Sequence, residues 1–275
     1  MTVKLIALDL DGTTLNKQRV ISENNRKALT AAAEKGVNVV IATGRPFSAL
    51  PKDVFEIPAI RYVLTSNGAV ITDLKEDRIF YENCLSVKAT EAAVAMLREH
   101  DYVVECFVNG AAYIEKEYYE HIKAGHKTYR HSAYILETRN PIENVYDFIL
   151  EHKGHIENLN VNFEDLSEKP IMWEKFKTLP EATITSSFQH NLEIGGETTS
   201  KAAALREMGA LLGISTDEMM AVGDSPNDIA MLLECGLPVA VGNAEEEVKA
   251  VAKYVARTND EDGVADAVEK FVLNV

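Results

Sequence analysis

Five short apolar runs, each broken off by a polar residue and separated by helical stretches, constrain the fold of this chain most. Residues 3–8 (VKLIAL) end at Asp9, and residues 37–42 (VNVVIA) end at Thr43. YVLTS at 62–66 leads into the turn SNGA, MMAVGD at 219–224 ends in Asp224, and LPVAVGN fills 237–243. Runs of this kind suit strands buried on both faces, as in a parallel sheet. Between the first two, Ser22 reads as the N-cap of a helix through NNRKALTAAAEK, which Gly36 closes. Strand, helix and strand in about 40 residues make a βαβ unit. Pro46 fits the first turn of a further helix, and 69–73 and 78–82 read as a hairpin. Toward the C-terminus the spacing predicts a helix over 199–212 with Gly213 beyond it, another from Pro226, then a short helix, AKYVA as a strand, and a closing helix near 263–273. This is an α/β pattern, a Rossmann-like doubly wound parallel sheet, whose ligands sit beyond the carboxyl ends of the strands.

The middle of the chain reads differently. Ser86 caps a helix to about His100. YVVECFV and AAYIE then form a hairpin around Asn109-Gly110. Helices near 116–125 and 141–152, a strand over HIENLNVNF, a helix across 165–178 and strands at 182–186 and 191–195 complete it. Helices on a mostly antiparallel sheet predict an α+β domain inserted into the first. The expected division is 1–84 for the first part of the core, 85–190 for the insert and 191–275 for the rest of the core, with linkers near 82–86 and 190–198.

Charge narrows the range of functions. The net charge of −15 repels phosphate backbones and anionic lipids, which argues against nucleic-acid and membrane partners. It also repels a phosphorylated substrate, so a phosphate site here must bring its own positive charge. MTVKLIALDLDG does not read as a signal peptide, and no run approaches the roughly 20 apolar residues that span a bilayer. The expected location is the cytoplasm, and the default state is a monomer. Cys84, Cys106 and Cys235 form no C-x-x-C pair and read as reduced structural thiols.

Four blocks carry chemistry. In DLDGTTL (9–15), Asp9 and Asp11 follow a buried strand and can converge on a cation, with Gly12 permitting a sharp turn. A calcium loop fails, because its sixth position is Thr14 and its twelfth is Val20. Thr43-Gly44-Arg45 offers a hydroxyl and a glycine amide at a strand-to-helix turn, suited to an anionic oxygen. GDSPNDIAML (223–232) puts Asp224 at a strand end and Asn227 and Asp228 at a helix start, where Asp228 can also act simply as a cap. Lys201 opens the preceding helix.

In this order, DLDGT, TGR, the helix-starting lysine and GDSPND resemble the motifs of the haloacid dehalogenase superfamily. TSNGA (65–69), GNA (242–244) and TNDEDGVADAVEKF (258–271) resemble its Cof-type branch. Only 34 residues separate Asp9 from Thr43, which one βαβ unit consumes, whereas 158 separate Thr43 from Lys201. The surplus places a cap domain after the second motif, the C2-type position of the Cof-type branch. Two departures stand out: Ala202 follows Lys201 where similar proteins usually have glycine, and the loop GGETTS before it is atypical.

The resemblance implies a magnesium-dependent phosphatase acting on a small phosphorylated metabolite, a sugar phosphate or similar, through an aspartyl-phosphate. A phosphomutase and a non-catalytic phosphometabolite-binding protein of the same fold are the alternatives. It implies that Asp9 is the nucleophile and Asp11 the general acid and base. Asp9, Asp224 and the Asp11 carbonyl would hold Mg2+, while Thr43, Gly44, Lys201 and Asn227 hold the phosphate oxygens. Asp228 has a supporting role, and Arg45 and Asn67 are substrate-contact candidates. An unperturbed aspartate has a pKa near 3.9, so Asp9 is expected to be ionised at neutral pH. His121, His126 and His131 are spaced by five and do not share one helix face. Tyr113, Tyr118, Tyr119 and Trp173 are expected in the core of the cap.

Overall fold

The computed structural model describes residues 2–126, 128 and 131–274. The chain divides into two compact units. One comprises residues up to Gly44, Pro51–Glu82 and from Ser200 onward; the other comprises Arg45–Leu50 and Asn83–Thr199.

The first unit opens with β1 (Leu5–Leu8), α1 (Glu23–Glu34), β2 (Asn38–Ala42), α2 (Lys52–Glu56), β3 (Ile60–Thr65), β4 (Val70–Asp73) and β5 (Arg78–Glu82). The second holds α3 (Val87–Leu97), β6 (Val103–Val108), β7 (Ala111–Glu115), α4 (Lys116–Lys123), α5 (Ser132–Thr138), β8 (Arg139–Ile142), α6 (Val145–Glu151), β9 (Ile156–Asn162), α7 (Glu168–Phe176), β10 (Ala182–Thr185) and β11 (Asn191–Gly196). The first unit resumes with α8 (Lys201–Leu212), β12 (Met219–Gly223), α9 (Ile229–Glu234), β13 (Leu237–Ala240), α10 (Glu246–Val251), β14 (Tyr254–Val255) and α11 (Gly263–Val268).

The first unit is built on an eight-stranded sheet in the order β14-β13-β12-β1-β2-β3-β4-β5. Its strands run parallel from β14 through β3, and β4 and β5 are antiparallel additions at one edge. Every residue of β1, β12 and β13 is buried. Both faces are therefore covered, as the unbroken apolar runs demand. α1 starts where Ser22 accepts from the Asn25 amide, and α8 starts where Ser200 accepts from the Ala203 amide and ends at Gly213 in the left-handed region.

The second unit carries a six-stranded sheet, β10-β11-β9-β6-β7-β8, antiparallel except for the β7–β8 pair. Val104, Cys106, Leu159, Val161, Leu192 and Ile194 point to one face and pack with α3, α6 and α7. Tyr113 and Trp173 pack on that core, and Tyr118 and Tyr119 pack on a smaller cluster around Ile114. Asn109 and Gly110 turn the β6–β7 hairpin with φ of 50° and 74°, the left-handed pair that a two-residue hairpin favours.

Two sequence expectations need correction here, and one helix went unread. The helix expected from 141 begins at Val145, where Asn144 caps it, and residues 139–142 instead form β8. Pro141 biases Asn140 toward extended backbone, and an edge strand tolerates a residue without an N–H. α5 was not legible in the residues before it. The boundary expected at 190 also lies too early, because β11 pairs with both β10 and β9 and so belongs to the inserted unit.

Candidate active site

β12, β1 and β2 are adjacent parallel strands, with Leu8 level with Val222 on one side and Ile41 on the other. Asp224, Asp9 and Thr43 follow directly on their carboxyl ends. The connections leave β1 in opposite directions along the sheet at this point, which opens a crevice in such folds.

After β1 the chain turns sharply through Leu10–Thr14, with Gly12 at φ 79°. A Cβ on Gly12 would lie 2.4 Å from Asp224 Oδ2, so glycine is needed here for both conformation and space. Thr13 Oγ1 donates to Asp224 Oδ1 at 2.7 Å, and Ser225 Oγ donates to Asp224 Oδ2 at 3.0 Å. Asn243 Nδ2 donates to the Gly12 carbonyl at 2.8 Å, which ties the turn to the segment after β13.

Carboxylate oxygens of Asp9, Asp224 and Asp228 all lie within 4.8 Å of one another. Lys201 Nζ donates to Asp9 Oδ1 at 2.6 Å and to Asp228 Oδ1 at 2.7 Å. Asp228 Oδ2 accepts from the amides of Asp224 and Ser225, both at 3.1 Å, so Asp228 caps its turn and anchors Lys201 at once. Asp9, Lys201 and Asp228 are buried, and Asp224 is half-buried.

Three acidic side chains face one ammonium. Burial raises the Asp9 pKa well above the ordinary value; the Asp228 carboxylate adds to the rise, and Lys201 only partly opposes it. Burial likewise raises Asp224, against the hydrogen bond from Thr13. Burial alone would lower Lys201, but Asp228 and Asp9 outweigh it and hold its ammonium charged. The unperturbed Asp9 expected from sequence is thus corrected: the group sits in a site short of positive charge. A divalent cation fits that deficit, and an all-oxygen donor set suits a hard ion such as magnesium.

Thr43 is buried; its amide donates to the Leu64 carbonyl and its carbonyl accepts from the Asn67 amide at 3.1 Å. Asn67 has φ 56° and its carboxamide lies against Gly44, where a Cβ would be 3.0 Å from Oδ1. Gly68 (φ 103°) passes so near Ser200 that a Cβ would meet its carbonyl oxygen at 2.4 Å, which fixes the start of α8 and hence Lys201. Asn227 is half-buried in the turn Pro226–Asp228, and Asp11 is exposed. Arg45 belongs to the other unit, where Nη1 donates to the Ala49 carbonyl at 2.8 Å and the guanidinium lies 5.2 Å from the centre of the Tyr134 ring. Sequence reasoning overlooked Thr13, Ser225 and Asn243 as positioning residues, although the second threonine-rich half of DLDGTT and the GNA segment were in view.

A family model for haloacid dehalogenase-like hydrolases matches residues 6–268. The chain belongs to the haloacid dehalogenase-like hydrolases. It is 33% identical to phosphatase YwpJ of Bacillus subtilis, over 98% of this chain and 100% of the relative. It is 32% identical to the 5-amino-6-(5-phospho-D-ribitylamino)uracil phosphatase YcsE of the same organism, over 98% of this chain and 96% of that one. Among solved structures, a haloacid dehalogenase-like hydrolase from B. subtilis superposes with a TM-score of 0.84 at 30% identity, covering 98% of this chain and 100% of that one. Its enzymatic class, a phosphatase of the haloacid dehalogenase superfamily, is the one these named relatives share. No helix among the described residues is long and apolar enough to cross a membrane.

Proposed function

We propose that this enzyme hydrolyses a small phosphorylated metabolite through a phosphoryl group carried on Asp9, with magnesium held by Asp9, Asp224 and the Asp11 carbonyl. The observation that carries this reading is the cluster of Asp9, Asp224 and Asp228 around the single ammonium of Lys201. Magnesium, when bound, supplies the positive charge that keeps these carboxylates ionised and lowers the repulsion between Asp9 and an incoming phosphate.

The remaining chemistry falls to the chain. An Asp9 carboxylate oxygen attacks phosphorus and the bond from phosphorus to the leaving oxygen breaks. Asp11, exposed beside the turn, gives that oxygen a proton. A water then loses its proton to Asp11 and attacks phosphorus, which restores the Asp9 carboxylate and releases inorganic phosphate. Lys201, Thr43, the Gly44 amide and Asn227 hold the phosphoryl oxygens, so catalysis is chiefly positioning and charge stabilisation. Asp228 supports the site by keeping Lys201 in place. The name of YcsE, a phosphatase of a ribityl phosphate, supports a sugar or polyol phosphate as the substrate class.

Phosphate release from para-nitrophenyl phosphate and a panel of sugar phosphates tests this. Turnover should require magnesium, stop with EDTA and vanish in Asp9→Asn. Undiminished turnover in Asp9→Asn contradicts the proposal.

A further inference from the structure

Two motifs of the sequence, GNA (242–244) and the start of TNDEDGV (258–264), have no part in the catalytic steps above. Both lie in the first unit, where the chain brings them together. Gly242 donates its amide to the Arg257 carbonyl at 3.0 Å, and the Asn259 amide donates to Asn243 Oδ1 at 2.9 Å. The Gly263 amide donates to the Thr258 carbonyl at 2.9 Å, and the chain passes so close that a Cβ on Gly263 would meet the Arg257 carbonyl oxygen at 2.1 Å. The segment is anchored on α1 as well. Asp262 accepts from Ser22 Oγ and Asn24 Nδ2, both at 2.6 Å, and the Ala265 amide donates to Asn25 Oδ1 at 2.8 Å.

From this base two carboxamides reach the turn that follows Asp9. Asn243 Nδ2 donates to the Gly12 carbonyl at 2.8 Å, and Asn259 Nδ2 donates to the Leu15 carbonyl at 2.8 Å. Asn243 Oδ1 is taken by the Asn259 amide, so its Nδ2 is the end turned to Gly12. The turn needs such support. Asp11 and Gly12 have non-helical backbone, with φ and ψ of −81° and 123° and of 79° and −10°, so no regular ladder fixes their peptides. Thr13 and Thr14 are held by their own hydroxyls, which donate to Asp224 Oδ1 and to the Asp9 carbonyl. The two asparagines add the carbonyls on either side of those threonines. Asp11 thus stands between Asp9, whose amide donates to the Val222 carbonyl, and Gly12, whose carbonyl Asn243 holds.

Resting on the phosphatase reading above, we infer that Asn243 and Asn259 are positioning residues: by holding the Gly12 and Leu15 carbonyls they keep Asp11 where it protonates the leaving oxygen. Neither touches the substrate in this account. Asp11 is exposed and directly precedes Gly12, so any freedom in the Gly12 peptide passes to it. A displacement of about 1 Å is enough to weaken a proton transfer strongly. The consequence depends on the leaving group. The alkoxide of a sugar or polyol is strongly basic and needs its proton as the bond to phosphorus breaks, whereas para-nitrophenolate departs without one. Since kcat/KM reports the steps up to the transfer onto Asp9, it separates the two cases.

The test compares the full chain with Asn243→Ala, Asn259→Ala and Asp11→Asn on a panel of alkyl monophosphates (sugar, polyol and nucleoside) and on para-nitrophenyl phosphate. In each asparagine variant the ratio of kcat/KM for the alkyl monophosphates to that for para-nitrophenyl phosphate should fall about tenfold, part of the roughly 10²–10⁴-fold that a well-placed acid supplies. In Asp11→Asn it should fall further. Hydrogen exchange of the metal-free asparagine variants should quicken in residues 10–16 and stay unchanged in the strands of the sheet. Their melting temperatures should drop by no more than about 2–4 °C, the scale of one lost hydrogen bond. Asn243 is exposed, so its truncation leaves the core intact and decides the matter even if Asn259→Ala folds poorly. A ratio within about twofold of wild type in Asn243→Ala, or exchange that quickens across the sheet rather than in the turn, overturns the inference and leaves the phosphatase reading intact. Wild-type protein that cleaves no alkyl monophosphate, or an Asp11→Asn ratio equal to that of the wild type, overturns the reading beneath it as well.

Discussion

Lys201 and Asp228 form a buried ion pair, Nζ to Oδ1 at 2.7 Å, in which the aspartate is itself pinned by two backbone amides. The lysine thereby reaches Asp9 from a fixed base rather than from the end of a flexible stem. Removing one member of a buried pair leaves an uncompensated charge, which costs about 3–5 kcal/mol. Lys201→Met should therefore lower the melting temperature in EDTA and reduce kcat on the order of a hundredfold or more, the scale of losing one charge-stabilising donor. Asp228→Asn should lower kcat less, since its one remaining acceptor oxygen keeps either Lys201 or the two backbone amides while the ammonium keeps Asp9. Melting curves and steady-state kinetics of the two variants check this ordering.

Gly12→Ala addresses the turn that brings Asp9 and Asp224 together. Its Cβ would sit 2.4 Å from Asp224 Oδ2, at a backbone φ of 79°. Asp224 or the turn must shift, and a displacement near 1 Å costs on the order of a hundredfold in rate. The expected outcome is a folded protein with kcat down by about that factor and weaker magnesium activation, read from rate against magnesium concentration.

Asp73, on β4, gives a pH-dependent contribution to stability. Burial opposes its charged form, but hydrogen bonds from Arg61 and from the Glu76 and Lys75 amides prevail, so its pKa lies below 3.8. A depressed carboxylate stabilises the fold above its unfolded pKa and loses that contribution as pH falls through its folded pKa. Asp73→Asn should destabilise by about 1–3 kcal/mol at pH 7. The gap to wild type should hold down to about pH 5 and close below about pH 4. Chemical denaturation at a series of pH values would show it.

The three thiols should differ in reactivity. Cys106 and Cys235 are buried, and burial pushes the Cys235 thiol up to about 12 and Cys106 higher still. Cys84 is half-buried. Iodoacetamide on the native protein at neutral pH should alkylate Cys84 before the others, with all three labelled in denaturant; peptide mass mapping distinguishes the sites.

The parts legible in the sequence were those specified locally. Asp9, Thr43 and Asp224 each end an unbroken apolar run, and that pattern alone places them at the carboxyl ends of buried strands. Lys201 was legible only as the opening of a helix expected over 199–212; the helix begins at Lys201 itself, capped by Ser200. What escaped depends on distant partners. Asn158, Asn160 and Asn162 alternate with Leu159 and Val161, a pattern that reads as a strand with one face in water. Their burial arises from tertiary packing that no local window contains. The elevated pKa of Asp9 comes from burial and from Asp228, more than 200 residues away in sequence. His121 and His126 do not share a helical face, yet their rings stack 4.2 Å apart, because His126 lies beyond the end of α4 where the chain folds back.

The central claim is a phosphoryl group carried on Asp9, and trapping it tests that claim most directly. Asp11→Asn should slow the second step, because the side chain that takes the proton from water is gone. Acid-quenched during turnover with magnesium and para-nitrophenyl phosphate, this variant should carry one phosphoryl group on the peptide containing Asp9, removable by hydroxylamine. Turnover with no phosphoryl group on that peptide, or one that persists when Asp9→Asn is added, would contradict the account.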